Sequence, residues 1–107
     1  MKSQILVIMT FVAISKVLVK PDVADKFEEA FRNRSRMVDS FDGFIELNFL
    51  RSQKHNNLFI GIFHFKDKES FARYMTSKEH DISHNNSKSL SPAIISNSVE
   101  FYDLITN

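Results

Sequence analysis

Phe44-Ile45-Glu46-Leu47-Asn48-Phe49-Leu50, a polar Lys54-His55-Asn56-Asn57, and then Leu58-Phe59-Ile60-Gly61-Ile62-Phe63-His64-Phe65 read together as a β-hairpin. The first run alternates. Ile45, Leu47 and Phe49 point one way and Glu46 and Asn48 the other, which is the period of a half-buried strand. The four polar residues between the runs are turn formers. The second run is almost wholly apolar, with Phe59, Gly61, Phe63 and Phe65 on one face and Ile60, Ile62 and His64 on the other. Either face suits a core.

Upstream of the hairpin, Ser40-Phe41-Asp42-Gly43 is a turn in which Gly43 supplies the backbone freedom. Before it, Val23, Phe27, Ala30 and Phe31 recur at helical spacing. Pro21 suits the first helical turn, and Asp22 and Asp25 suit its positive end. The helix is expected to end near Val38, with Arg32, Arg34 and Arg36 mostly on a solvated face. A first strand is expected from about Leu6 to Val19. The apolar run from Ile5 to Ile14, preceded by Lys2, resembles a signal peptide in composition. It is too short to span a bilayer and continues into Lys16-Val17-Leu18-Val19, so a buried strand is the expectation.

Downstream, Asp67 is placed to cap a helix whose inward face is Phe71, Tyr74 and Met75. Ser77 is placed to cap a second, short helix through His80, Ile82 and His84. Asn85 to Pro92 reads as a mobile polar loop, and Val99 to Leu104 as a closing strand. The order is strand, helix, strand, strand, helix pair, strand. This is the split βαβ pattern: an α+β, ferredoxin-like (βαββαβ) antiparallel sheet with helices on one face, in a single domain over residues 1–107. The opposite face of so apolar a sheet needs a cover, and a second copy of the chain, a homodimer, is the expected one.

Composition excludes several functions. The 107 residues carry 14 Lys and Arg against 13 Asp and Glu, so a net charge of +1 gives no general attraction to nucleic acid or to an anionic membrane. With no Cys there is no disulfide, thiolate metal site or thiol nucleophile. A cytoplasmic location is the simplest expectation. Two glycines are too few for a dinucleotide-binding turn.

What remains is a few polar groups in apolar settings. His80 and His84 are four apart on one helix and share a face, as a metal-binding pair does, but no third ligand is apparent. From spacing alone His80 reads as a solvated surface residue and His84 as a helix-end residue favourable to the dipole. His64 reads as a core or interface histidine, His55 as solvated, and Tyr74 as core.

Several stretches resemble one family. They are Ser15-Lys16-Val17-Leu18-Val19-Lys20-Pro21, Phe27-Glu28-Glu29-Ala30-Phe31-Arg32-Asn33-Arg34, Val38-Asp39-Ser40-Phe41-Asp42-Gly43-Phe44, and Phe65 to Phe71 running on through Tyr74 to His84. Together they resemble the antibiotic biosynthesis monooxygenase (ABM) superfamily. Ser91-Pro92-Ala93-Ile94-Ile95 and Val99-Glu100-Phe101-Tyr102-Asp103 are similar to the end of its staphylococcal-type heme-degrading members. The resemblance implies a dimeric α+β barrel with one heme per chain, held between sheet and helices. It implies a heme-binding monooxygenase that opens heme, releases iron and draws electrons from an external reductase. His84 would be the axial ligand of the heme iron, and Phe31 would pack near the heme. Tyr74 stands where the family has Trp and Ser15 where it has Asn. Ser offers a shorter donor than Asn, and Tyr a smaller ring than Trp. Two other functions fit the same residues. One is a cofactor-free monooxygenase acting on a flat aromatic such as a quinol, with His64 or His84 moving a proton. The other is a non-catalytic heme-binding module.

Overall fold

The computed structural model describes residues 10–85 and 88–107. Its hub is strand β1 (Phe11–Val19), which is paired along both edges. On one side it meets β3 (Leu58–Phe65), with Ser15 opposite Gly61 and Ala13 opposite Phe63. On the other it meets β4 (Ile94–Asp103), with Ser15 opposite Val99. Strand β2 (Phe44–Arg51) completes the hairpin with β3. The sheet order is β2-β3-β1-β4, antiparallel throughout, with helices packed on it: the α+β, ferredoxin-like arrangement expected from the order of elements.

Strand pairing decides which face carries the core. Ala13, Val19 and Phe65 are fully buried, and Phe59 nearly so. Their side of the sheet therefore faces the helices, together with Ser15, Val17, Gly61 and Phe63. The other side shows Ile14, Lys16, Leu18, Ile60, Ile62 and His64. In β2 the register shifts between Phe44 and Glu46. Ile45 thus falls outside the paired positions and is exposed, while Leu47 and Phe49 keep to the helix side.

Helix α1 (Ala24–Arg32) follows a 3-10 turn at Pro21–Val23. It ends at Arg32, earlier than the expected Val38. The Ser35 hydroxyl accepts the Met37 N–H and the Arg34 guanidinium donates to the Ser35 carbonyl, so local polar groups compete with helix continuation. Val38 still reaches the core, from a separate 3-10 turn at Met37–Ser40. The next turn depends on Gly43, whose φ is +91°. Helix α2 (Lys68–Met75) is capped by Asp67, whose carboxylate accepts the Ser70 N–H at 2.7 Å. Helix α3 (Lys78–Asn85) is capped by Ser77, whose hydroxyl oxygen accepts the His80 N–H at 3.1 Å.

Two further expectations are corrected, and a third lies mostly outside the described residues. The first strand begins at Phe11; Thr10 precedes it, and the expected portion from Leu6 to Met9, with the rest of the apolar N-terminal run, lies outside the described residues. Most of the expected loop before the last strand is a 3-10 helix over Lys88–Ala93, whose Ala93 carbonyl accepts the Lys20 N–H at 2.9 Å. The last strand starts at Ile94 rather than Val99. Its polar Ser96-Asn97-Ser98 stretch is held by backbone pairing to β1, and a ladder does not require apolar side chains at an edge. No helix among the described residues is long and apolar enough to cross a membrane.

Arg51 ties the hairpin to the helix layer. Its Nη1 donates to Asp25 at 3.0 Å and Glu28 at 2.9 Å on α1, and its Nε donates to the Asn56 carbonyl. The hydrogen bonds from Arg51 and Arg32 hold the Glu28 carboxyl below its ordinary pKa. The core has two parts. Phe11, Ala13, Val38, Phe65, Phe71 and Tyr74 fill one end, and Val19, Ala24, Phe27 and Phe59 fill the other.

Candidate functional site

Between these two clusters the layers do not close. A pocket of about 490 Å³ opens between sheet and helices, within the range of small-molecule sites. Its sheet wall includes Ser15, Phe49, Phe59, Gly61 and Phe63, and its helix wall includes Phe31, Tyr74, Met75, His80, Ser83 and His84. Gly61 keeps the sheet wall low. A Cβ there would stand 2.8 Å from Ser15 Oγ and 2.9 Å from Phe49 Cε1. Phe31 stacks on Phe49 with ring centres 4.4 Å apart and planes within 16°, and this flat pair forms one side of the pocket.

The four residues that the family resemblance places at the site line this one pocket: Ser15, Phe31, Tyr74 and His84. Ser15 is half-buried on β1, and Phe31 half-buried near the end of α1. Tyr74 is only 4% exposed and meets the Phe41 ring edge-on at 5.4 Å. Burial raises the pKa of its hydroxyl, an effect partly offset by Ser83, so it remains a donor at neutral pH. The Ser83 contact is weak: Ser83 Oγ is itself buried without a hydrogen-bond partner of good geometry. His84 is exposed at the rim, near the end of α3, while lining the pocket.

Some expectations need revision. His80 is not a solvated surface residue. It is half-buried and lines the pocket, its ring edge-on to Tyr74 at 5.3 Å and 4.3 Å from the ring of His84. Burial, and then the charge of His84, lower its pKa and favour the neutral imidazole; Asp81 opposes this. Its spacing from His84 was the available signal; the depth of α3 against Tyr74 was not visible in the sequence. Arg34 likewise leaves the solvated face. Its side chain is 16% exposed, lines the pocket, and donates to Asp39 Oδ1 at 3.2 Å. Burial pushes the Asp39 carboxyl up, but the hydrogen bonds of Arg36 and Arg34 outweigh it and hold the pKa below its ordinary value. His64 projects from the opposite face of the sheet, away from the pocket, which removes it as a base there. His55 is exposed in the hairpin loop as expected. No group of three or more His, Cys, Asp or Glu side chains that could hold a metal ion occurs among the described residues.

Fold and pocket define a class: a small α+β domain with an aromatic slot between its sheet and its helices. The antibiotic biosynthesis monooxygenase family model matches residues 10–85, more than half of the chain, and the protein belongs to that family. No curated protein sequence matches it. Solved structures share the fold. A conserved protein from Methanosarcina mazei superposes with a TM-score of 0.77 at 14% identity, over 92% of this chain and 96% of its own. A candidate antibiotic biosynthesis monooxygenase from Nitrosomonas europaea gives 0.75 at 17% identity, over 89% of each chain. SnoaB, a cofactor-independent oxygenase from Streptomyces nogalater, gives 0.70 at 15% identity, over 88% of this chain and 91% of its own.

Proposed function

We propose that this protein is a heme-binding monooxygenase that opens its heme substrate oxidatively and releases the iron, using electrons from an external reductase. Convergence carries the assignment: Ser15 from β1, Phe31 from α1, Tyr74 from α2 and His84 from α3 line a single apolar pocket. The residues present suit a flat macrocycle. The wall stays low at Gly61, where a side chain would collide with Ser15 and Phe49, and aromatic faces lie to the side.

Each residue has a physical task. His84, on the helix wall, offers an imidazole nitrogen to the iron. Ser15, on the sheet wall, would offer an O–H donor to a bound heme and its oxygen chemistry, directly or through a water. Tyr74 and Phe31 pack against the porphyrin and exclude water. Arg34, anchored by Asp39, supplies a cationic edge for a carboxylate substituent. The bound iron is where oxygen would be activated. Hemin added to the protein should give a shifted Soret band, and His84→Ala should lose it; an unshifted band with the native chain would refute heme binding. Reductant and oxygen then separate the two heme-based functions. Loss of the band marks ring opening, whereas a stable band marks a non-catalytic heme-binding module.

One observation favours a second function. His80, kept neutral inside the pocket, is suited to take a proton from a phenolic substrate. The protein would then be a cofactor-free monooxygenase of a flat aromatic such as a quinol. Oxygen consumption with a quinol in heme-free protein is the expected result, and its absence would eliminate this chemistry.

We further propose a homodimer, with a cytoplasmic location. The sheet face away from the helices shows Ile14, Leu18, Ile60 and Ile62, with Leu50 and Tyr102 at 49% and 44% exposure. A second copy would remove this apolar surface from water. Sedimentation equilibrium should return twice the chain mass; a monomer at micromolar concentration would rule the dimer out.

A further inference from the structure

The helix wall carries two imidazoles, and heme binding uses only one of them. His80 and His84 lie one turn apart on α3, and both line the pocket. Their ring centres are 4.3 Å apart, with planes inclined at 59°. When two imidazoles ligate one ion, each nitrogen sits about 2.0–2.1 Å from it, which puts the ring centres roughly 4.5 to 5.2 Å apart for a right-angled to tetrahedral bite. The two rings stand just short of the right-angled end of that range, so a small side-chain adjustment brings a nitrogen of each to one ion. Tyr74 packs against the ring of His80, the two rings in a T-shaped arrangement at 5.3 Å, and limits its swing. Ser83, between the two histidines in sequence, lines the same pocket.

We propose that His80 and His84 form a two-imidazole site for a divalent transition-metal ion on the helix wall of the pocket. Imidazole donors select zinc, iron, nickel and copper over calcium or magnesium. The described residues bring no third His, Cys, Asp or Glu into a cluster with them. Water fills the remaining positions, and the ion keeps exchangeable sites. The site needs no heme. Because it occupies His84, an ion here and a porphyrin iron on that imidazole would exclude each other; this one consequence rests on the heme assignment.

Zinc is the test ion, titrated by calorimetry into untagged, heme-free protein and into His80→Ala, His80→Gln, His84→Ala and His55→Ala. The native chain should bind one zinc ion with micromolar affinity. Each His80 and His84 variant should bind about tenfold or more weakly. His55→Ala, altered in the exposed hairpin loop, should match the native chain. The glutamine variant retains polar bulk against Tyr74 and serves if the alanine variant does not fold. Native affinity weaker than about 1 mM, or undiminished binding in a folded His80 variant, would overturn the site. Hemin is followed separately by its Soret band. Protein that takes hemin but no zinc refutes the metal site alone, and protein that takes zinc but no hemin supports the metal site while refuting heme binding.

Discussion

Ser15 on β1 lies directly across the sheet from Gly61 on β3, and the space above Gly61 is filled by the Ser15 hydroxyl and the edge of the Phe49 ring. The missing side chain lets a polar donor and an aromatic face share the same patch of pocket wall. A strand glycine is ordinarily a cost to the sheet, and a close approach of this kind is what offsets it.

Gly61→Ala tests that relationship. Its Cβ would stand 2.8 Å from Ser15 Oγ and 2.9 Å from Phe49 Cε1, closer than packed atoms tolerate. Overpacking of this kind costs about 1–3 kcal/mol. Chemical denaturation should show a loss in that range, and ligand affinity should fall because Phe49 must shift into the pocket. The double variant Gly61→Ala/Ser15→Ala should recover part of the stability.

Ser15→Ala and His84→Ala should separate binding from turnover. Neither replacement empties a core site, since Ser15 is half-buried and His84 exposed. Ser15→Ala is expected to keep the hemin Soret shift while bleaching more slowly under reductant and oxygen. His84→Ala is expected to lose the shift. Equal bleaching rates in Ser15→Ala and the native protein would remove Ser15 from the chemistry.

Tyr74 has both a packing and a polar role. It is buried against Phe41, Phe65 and His80. Tyr74→Ala should cost about 3–5 kcal/mol, as large aromatic truncations do. Tyr74→Phe keeps the ring and should leave the melting temperature nearly unchanged, because the Ser83 contact is already poor. Thermal unfolding of the two variants side by side checks this contrast.

The α2 cap sets a pH dependence. The Ser70 side chain and Ser70 N–H, both at the Asp67 carboxyl, lower its pKa. A carboxyl with a folded pKa below its unfolded one adds stability that is complete above the unfolded value and lost as pH falls through the folded value. The native protein should therefore lose stability below about pH 4 more steeply than Asp67→Asn. Parallel stability curves for the two would show that the cap does not respond to charge.

Much of the architecture follows from local periodicity. The alternation in Phe44–Leu50, the apolar run of Leu58–Phe65 and the caps at Asp67 and Ser77 each specify their elements within a few residues, because capping and strand alternation are short-range effects. The termination of α1 at Arg32 depended on side-chain hydrogen bonds of Ser35 and Arg34 that compete with a helix, and composition does not rank those alternatives. Polar Ser96-Asn97-Ser98 became strand only because β1 presented a free edge.

The same division holds for the site. Ser15, Phe31, Tyr74 and His84 were identifiable from their place in a family pattern, and they do line one pocket. His80 and Arg34 gave only ambiguous signals, because a polar residue reads as solvated until a neighbouring element covers it. The linear chain determined the order of the elements and most of their extents, and it pointed to four of the residues that line the pocket; docking of α3 against Tyr74, and of the Arg34–Asp39 pair beside the helix wall, decided the rest. Burial is a property of packed layers, and packing between residues distant in the chain leaves no period in the sequence to read.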